Sequence, residues 1–280
     1  MHADRYDLHT HSYLSDGTTS PAEIAEEVAK AGLAGFALTD HDSTEGWNEA
    51  REASIRLGLD FIPGIEITTK RHGLSVHLLA YGIDPANGAL LAELTRTQMS
   101  RLTRAETMVE RLSADYDIDW GEVSAVIEPG ATLGRPHIAD ALVNKGHFTD
   151  RGHAFQEVLH PASKYYVHTY AMDTADAVAL VNEAGGVAVL AHPAALRQKR
   201  AVPLEEMTLL RAVGLWGVEL DHPENREDWL PELRLHAANL GLEVTGSSDY
   251  HGAGKVNRIA DRTTGREVVA RMRERIVTKR

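Results

Sequence analysis

One after another, the short apolar segments of this chain that read as strands end in a histidine or a carboxylate. DLHTHSYLSDG carries His9 and His11, FALTDH ends at His41, FIPGIEIT reaches Glu66, VAVLAH ends at His192, and LEVTGSSD leads into Asp249 and His251. Helix signals separate them. Ser20-Pro21-Ala22-Glu23 combines a capping box with proline at the first helical position, and Gly32 stops that helix. Helical patterns recur from about Thr44 to Leu57, in DTADAVALVNEAGG, near Leu204 to Val213 and near Asp228 to Leu240. Strands alternating with helices predict an α/β fold, and in an α/β barrel ligand-binding groups collect where the strands end and turn into helices. Histidines placed only for packing would scatter along the strands.

With SVHLLAYG and WGVELDH included, seven strands predict a closed or nearly closed parallel barrel. The alternation breaks after the fourth strand. Residues 85–168 read as mostly helical, with a long segment to about Leu112 and shorter ones after Pro136 and Asp150. The expected organisation is therefore a barrel domain from residues 1–84 and 169–280, with 85–168 as a helical insertion. His77 is the exception among the histidines, since it lies near the start of its strand.

Composition narrows the chemistry. Cysteine is absent, so any metal must be held by histidine and carboxylate. The formal charge of -12 disfavours stable binding to duplex nucleic acid or anionic membranes, although local cations can still serve a phosphorylated substrate. No apolar run approaches the ~18 residues of a membrane span, and no secretory leader precedes the first strand, which makes a cytoplasmic protein the expectation. In an extended strand Asp7, His9 and His11 point to one side, a poor core but a good metal cradle. The 15 histidines against 4 phenylalanines fit the second reading.

DLHTHSYLSDG, TDHD, GIEI, AHP and SSDYHG, in this order, resemble the motifs of the polymerase and histidinol phosphatase (PHP) superfamily of metal-dependent phosphoesterases. GRPHIADAL and VELDHPEN are similar to the subgroup that acts on 3′,5′-nucleoside bisphosphates and on short RNAs in the 5′ to 3′ direction. The resemblance implies a distorted (β/α)7 TIM-like barrel, a substrate-capping role for the insertion, and two to three divalent cations. Manganese is the leading metal, with zinc and iron compatible with the same donors. His9, His11, Glu66 and Asp249 would hold one ion, Glu66, His77 and His192 a second, and Asp16, His41 and His251 a third. Many relatives have histidine at the position of Asp16.

Chemistry agrees with this assignment. Two cations about 3.5 to 4 Å apart can share a hydroxide for attack on phosphorus, and only a carboxylate such as Glu66 can bridge them. Asp7 and Asp40 read as partners that orient the imidazoles. Arg135 at a helix start, His137, Lys164 and His222 are the candidate substrate contacts, and Glu66, His222 and Asp249 the candidate catalytic set. Arg101 and Arg104 stand at helical spacing but do not by themselves make a nucleic-acid groove.

The expected activity is hydrolysis of phosphate esters of nucleotides or short 5′-phosphorylated oligonucleotides, by a monomer or small homo-oligomer. Histidinol phosphate hydrolysis is the alternative, and the insertion argues against so small a substrate. An amidohydrolase would carry a lysine where Glu66 stands, and a non-catalytic PHP assembly domain would have lost ligands.

Overall fold

The computed structural model describes residues 4–195 and 201–277. Four strands, β1 (Arg5–Thr10), β2 (Gly35–Leu38), β3 (Asp60–Arg71) and β4 (Leu74–Tyr81), precede the long helical stretch. Five follow it: β5 (Met172–Asp173), β6 (Val187–Leu190), β7 (Gly217–Asp221), β8 (Glu243–Gly246) and β9 (Thr264–Gly265). They form one sheet in the order β8-β7-β6-β4-β3-β2-β1-β9, with β5 paired to β3. The sheet curls into a nearly closed barrel. Its seam is joined above by a bridge between Thr10 and Tyr250, and below by β9, whose Thr264 hydroxyl donates to the Gly246 carbonyl at 2.7 Å.

One expectation needs correction. The barrel is not all parallel, because β4 runs antiparallel to both β3 and β6. The cause is local. His72 and Gly73 turn the chain with φ of 49° and 77°, and a two-residue turn at positive φ can only return the strand antiparallel. The reversal also accounts for His77. It pairs with Thr68, beyond Glu66 on β3, so the start of β4 reaches the same end of the barrel as the ends of its neighbours.

Helices α1 (Pro21–Lys30) and α2 (Trp47–Leu57) cover Phe36 and Leu38 on the outer face of β2. Helix α1 has the capping box its sequence announces, with Ser20 and Glu23 bonding reciprocally. Between β4 and β5 lie α3 (Gly88–Leu112), α4 (Trp120–Ser124), α5 (Arg135–Asn144), α6 (Arg151–Ala154) and a π-helical turn, Phe155–Leu159. These pack around an apolar cluster of their own that includes Met108, Leu112, Ile138, Leu142 and Leu159.

Helices α7 (Thr174–Glu183), α8 (Leu204–Ala212) and α9 (Leu230–Leu240) cover the later strands through Val178, Met207, Leu210 and Leu233. The last helix, α10 (Arg266–Val277), sets Val269 and Met272 against Tyr6, Leu8, Tyr81 and Val187. That apolar plug closes one end of the barrel and leaves the other to polar side chains.

Candidate metal centre

The polar end is built where strands stop. Between Asp7 and Thr10 the pairing of β1 with β2 slips by one residue, a bulge that re-aims the side chains that follow. The chain then folds back tightly through Ser12 and Gly17. A Cβ on Gly17 would sit 2.2 Å from the His11 carbonyl oxygen, so only glycine permits the return that carries Asp16 to the site. Asp42, His192 and Asp249, at the ends of three different strands, hold positive φ of 53°, 27° and 55°. Left-handed backbone at non-glycine residues costs free energy, and such residues concentrate at functional sites.

Glu66 stands at the middle, almost fully buried. Its Oε2 lies 3.4 Å from His9 Nε2, 3.3 Å from His11 Nε2 and 3.1 Å from His41 Nδ1. Its Oε1 lies 2.8 Å from His77 Nδ1 and 3.1 Å from His192 Nε2. Asp249 Oδ1 is 3.4 Å from both His9 Nε2 and His11 Nε2. Asp16 faces His251 Nε2 at 3.1 Å and His41 Nε2 at 3.7 Å. Thus all nine residues expected to hold metal converge, and the two oxygens of Glu66 face two different sets of imidazoles.

The donor atoms fit divalent cations. His9 Nε2, His11 Nε2, His41 Nδ1 and Asp16 Oδ1 are buried with no hydrogen-bond partner, a costly state for polar atoms unless something binds them. The other ring nitrogens decide which atoms carry protons. His9 Nδ1 donates to Glu219 Oε1 at 3.0 Å, and His251 Nδ1 donates to the Asp249 carbonyl at 2.8 Å. Ser15 gives its own proton to Asp40 at 2.6 Å, so its oxygen can accept from His11 Nδ1 at 3.4 Å. Each neutral ring therefore turns an Nε2 lone pair to the centre, the tautomer a metal ligand needs.

His222 and His137 are held the other way. His222 Nδ1 accepts from the Glu224 backbone N–H, and His137 Nδ1 from that of Gly134, both at 3.1 Å. In the neutral form Nε2 then carries the proton. His222 Nε2 lies 3.4 Å from Asp249 Oδ2, as a donor beside the cluster.

Electrostatics point the same way. Burial would push the Glu66 carboxyl up, yet the imidazoles of His77, His41 and His9 hold it well below the usual carboxylate range. Burial is likewise overcome at Asp16 by His251 and His41, and at Asp249 by Lys255 and His9. Conversely, burial would push the His11 imidazole down, but Asp249 and Glu66 carry it up to about 9. The carboxylates are ionised and call for positive charge.

Other expected residues differ in place. Asp7 accepts from the backbone N–H groups of Ser248 and Ala260 at 3.0 and 3.1 Å, tying β1 to the segment after β8 rather than orienting an imidazole. Asp40 reaches His11 only through Ser15. Lys164 is largely exposed and pairs with Asp115 at 2.8 Å on the helical stretch. Arg135 donates to the Leu159 carbonyl at 2.8 Å and lies over the rings of Phe155 and Tyr166.

Two residues escaped the sequence reading. Glu219, fully buried in β7, accepts from His9 and from the His192 backbone N–H at 3.0 Å. An acid inside the apolar run GVEL was the available signal. Lys255 pairs with Asp249 and with Glu224, the latter at 3.1 Å. Arg104, named from the sequence only for its helical spacing with Arg101, sits over the Tyr166 ring as Arg135 does, and burial together with Arg135 and Arg101 pushes its guanidinium down to about 9.

Helical residues 88–159 reach this end of the barrel at several points. Arg101 pairs with Asp42 at 2.9 Å, Gln98 donates to the Asp42 carbonyl, and Arg151 donates to that of Asp16. Residues 7–170 match the family model described as PHP domain, more than half of the chain. The chain belongs to the PHP domain family. It is 35% identical to the 3′,5′-nucleoside bisphosphate phosphatase of Chromobacterium violaceum over 90% of this chain and 89% of that one. It is 31% identical to the phosphoribosyl 1,2-cyclic phosphate 1,2-diphosphodiesterase of Eggerthella lenta, over 91% and 98%. A solved structure from Bifidobacterium adolescentis, described as a candidate metal-dependent phosphoesterase, superposes with a TM-score of 0.94 at 41% identity, covering 96% of each chain. This PHP chain is a metal-dependent phosphoric ester hydrolase, and the non-catalytic reading falls.

Proposed function

We propose that the enzyme hydrolyses phosphate esters of nucleotides that carry a second phosphate, 3′,5′-nucleoside bisphosphates and short 5′-phosphorylated oligonucleotides, with manganese as the preferred metal. The carrying observation is the pair Arg104 and Arg135. Their guanidinium carbons lie 5.6 and 5.5 Å from the Tyr166 ring, and among the described residues Arg104 has no carboxylate partner. Cations held together in partly buried surroundings repel one another unless an anion joins them. Arg101, on the same helix, is already neutralised by Asp42, the residue after His41. The arginine pair therefore offers a phosphate subsite on the helical stretch that reaches the mouth through Arg101.

The nine donors would hold divalent cations, which when bound would supply Lewis acidity and lower the pKa of a water toward neutrality. Glu66 sets its two oxygens toward both imidazole groups and is the residue able to join two ions. His222 and His137 hold N–H donors, His222 beside Asp249, and their work is to bind phosphate oxygens or protonate the leaving oxygen. Residues 85–168 form a unit that caps the mouth, through Arg101, Gln98 and Arg151. An arginine clamp at a set distance from the metals counts inward from a terminal phosphate and favours release of single nucleotides from one end. The closeness to the Chromobacterium violaceum phosphatase supports this reading.

Kinetics of Arg104→Ala and Arg135→Ala test it. Each should lose about 2 to 4 kcal/mol of transition-state stabilisation on a nucleoside 3′,5′-bisphosphate, roughly 30- to 1000-fold in kcat/KM. The loss on p-nitrophenyl phosphate should be far smaller. Equal losses on both substrates would assign the arginines to folding and refute the subsite.

A further inference from the structure

A cavity of about 170 Å³ opens between the β3-β4 hairpin and the segment leading into α8. Val76, Leu190, Pro193, Val202 and Leu210 make its walls, and His77, one of the imidazoles on Glu66, lines it as well. A cavity of about 150 Å³ with aliphatic and aromatic walls accepts a benzene-sized ring. This one is therefore the right size and polarity for one planar ring, placed next to the metal donors.

The rim specifies what kind of ring. Glu206 accepts from Arg71 at 2.5 Å and from His72 at 3.0 Å, and Arg71 also grips Asp173 at 3.0 Å. Arg71 is thus shared by two carboxylates. Glu205, also on the rim, adds acceptor oxygens and negative charge. A phosphate would be repelled here, whereas a neutral ring that presents N–H groups would be received. The arginine pair and this cavity are opposites, one cationic and the other apolar with an acidic edge, and the cavity borders the donors through His77.

We propose that this cavity binds the nucleobase of the substrate, with a preference for bases bearing an exocyclic amino group. The assignment rests on the nucleotide phosphoesterase reading and deepens it. The scissile phosphate lies at the metal donors, the second phosphate at Arg104 and Arg135, and the base beside His77. Discrimination for the base then arises on β4, the strand before α8 and the rim, apart from the groups that handle phosphate. A phosphoribosyl substrate without a base would leave the cavity unused.

The test is a ratio. For metal-loaded enzyme, kcat/KM is measured on adenosine 3′,5′-bisphosphate and on base-free ribose 3,5-bisphosphate, with Val202→Trp filling the cavity from one wall and Val76→Phe from the other. The native enzyme should prefer the base-bearing substrate by at least about tenfold, the scale of burying one ring, and each variant should lower that preference about tenfold. Uridine 3′,5′-bisphosphate should fall below the adenosine compound in the native enzyme. Calorimetry with adenosine, which has no phosphate, separates the two readings. If neither bisphosphate is cleaved but adenosine binds and Val202→Trp abolishes binding, the cavity assignment stands and the choice of reaction falls. A native preference near one, or equal losses on both substrates in a variant whose circular dichroism is unchanged, overturns the cavity assignment. Should Val202→Trp fail to fold, Val76→Phe gives the same reading.

Discussion

The mouth of the barrel and the helical stretch from α3 to the π turn are built on opposite principles. The stretch is ordinary in its physics: amphipathic helices bury Met108, Leu112, Ile138 and Leu142 together, and apolar area removed from water holds them. At the mouth, buried His9, His11, Glu66, Asp249 and Glu219 occupy positions where a barrel usually stacks aliphatic side chains. Such a cluster cannot be stable through burial, because desolvating charge is costly. It is held by mutual neutralisation, by strand ends that place each group, and by whatever cations it binds. Damage to the stretch should therefore appear mainly as lost stability, and damage to the mouth mainly as lost metal and activity.

Removing the charge of Glu66 should test that contrast most severely. Glu66→Gln keeps the shape but cannot join two cations, so kcat/KM at limiting manganese should fall by about 1000-fold or more, over 4 kcal/mol. Chelation of the native enzyme should abolish activity, with manganese restoring it best. Near-normal turnover by Glu66→Gln, or less than one ion per chain by metal analysis after manganese reconstitution, would break the comparison. Asp16→Ala should be milder, leaving the ions on Glu66 in place.

Glu219→Gln should come next. Its carboxylate fixes the His9 ring, and partners of metal-bound histidines are worth about 10- to 100-fold in metal affinity or activity. The signature is a raised manganese requirement with near-native turnover at saturation. Loss of turnover that excess manganese does not repair would place Glu219 in the chemistry instead.

In the helical stretch, Leu142→Ala should cost about 2 to 5 kcal/mol of stability by opening a cavity, while metal content stays native. Urea denaturation and metal analysis on the same sample make the check. Loss of metal in step with stability would show that the two regions are not separable.

The smallest effect concerns protons. In the metal-free protein His11 is carried up to about 9 by Asp249 and Glu66, so near neutral pH a proton occupies the ring that a cation needs. Burial would lower His9 as well, but Glu219, Glu66 and Asp249 hold it well above its ordinary value, so binding must expel protons from both rings and manganese affinity should rise with pH through neutrality. Calorimetry in buffers of different ionisation enthalpy measures the release, and affinity that is flat with pH would mean that His11 is not a ligand.

What could be read beforehand follows from how information is spread along the chain. Strand ends are local events: an apolar run, a polar residue and a turn within a few positions. That is why His9, His11, His41, Glu66, His192, Asp249 and His251 could be picked out and grouped, and why the structure finds them together. His77 could be named but not explained, since its place depends on the direction of β4. Lys164 shows the converse case, a residue chosen by type whose partner, Asp115, is set by tertiary packing.

The sequence by itself determined the barrel alternation, the helical interruption and which histidines and carboxylates stand at the strand ends, because each rests on short-range periodicity and turn chemistry. Tertiary structure alone decided that β4 runs antiparallel, that β9 seals the seam, that Glu219 meets His9 and that Arg104 and Arg135 share the ring of Tyr166. Those facts join residues far apart along the chain, and the partner of a buried charge is chosen by the whole fold that desolvates it.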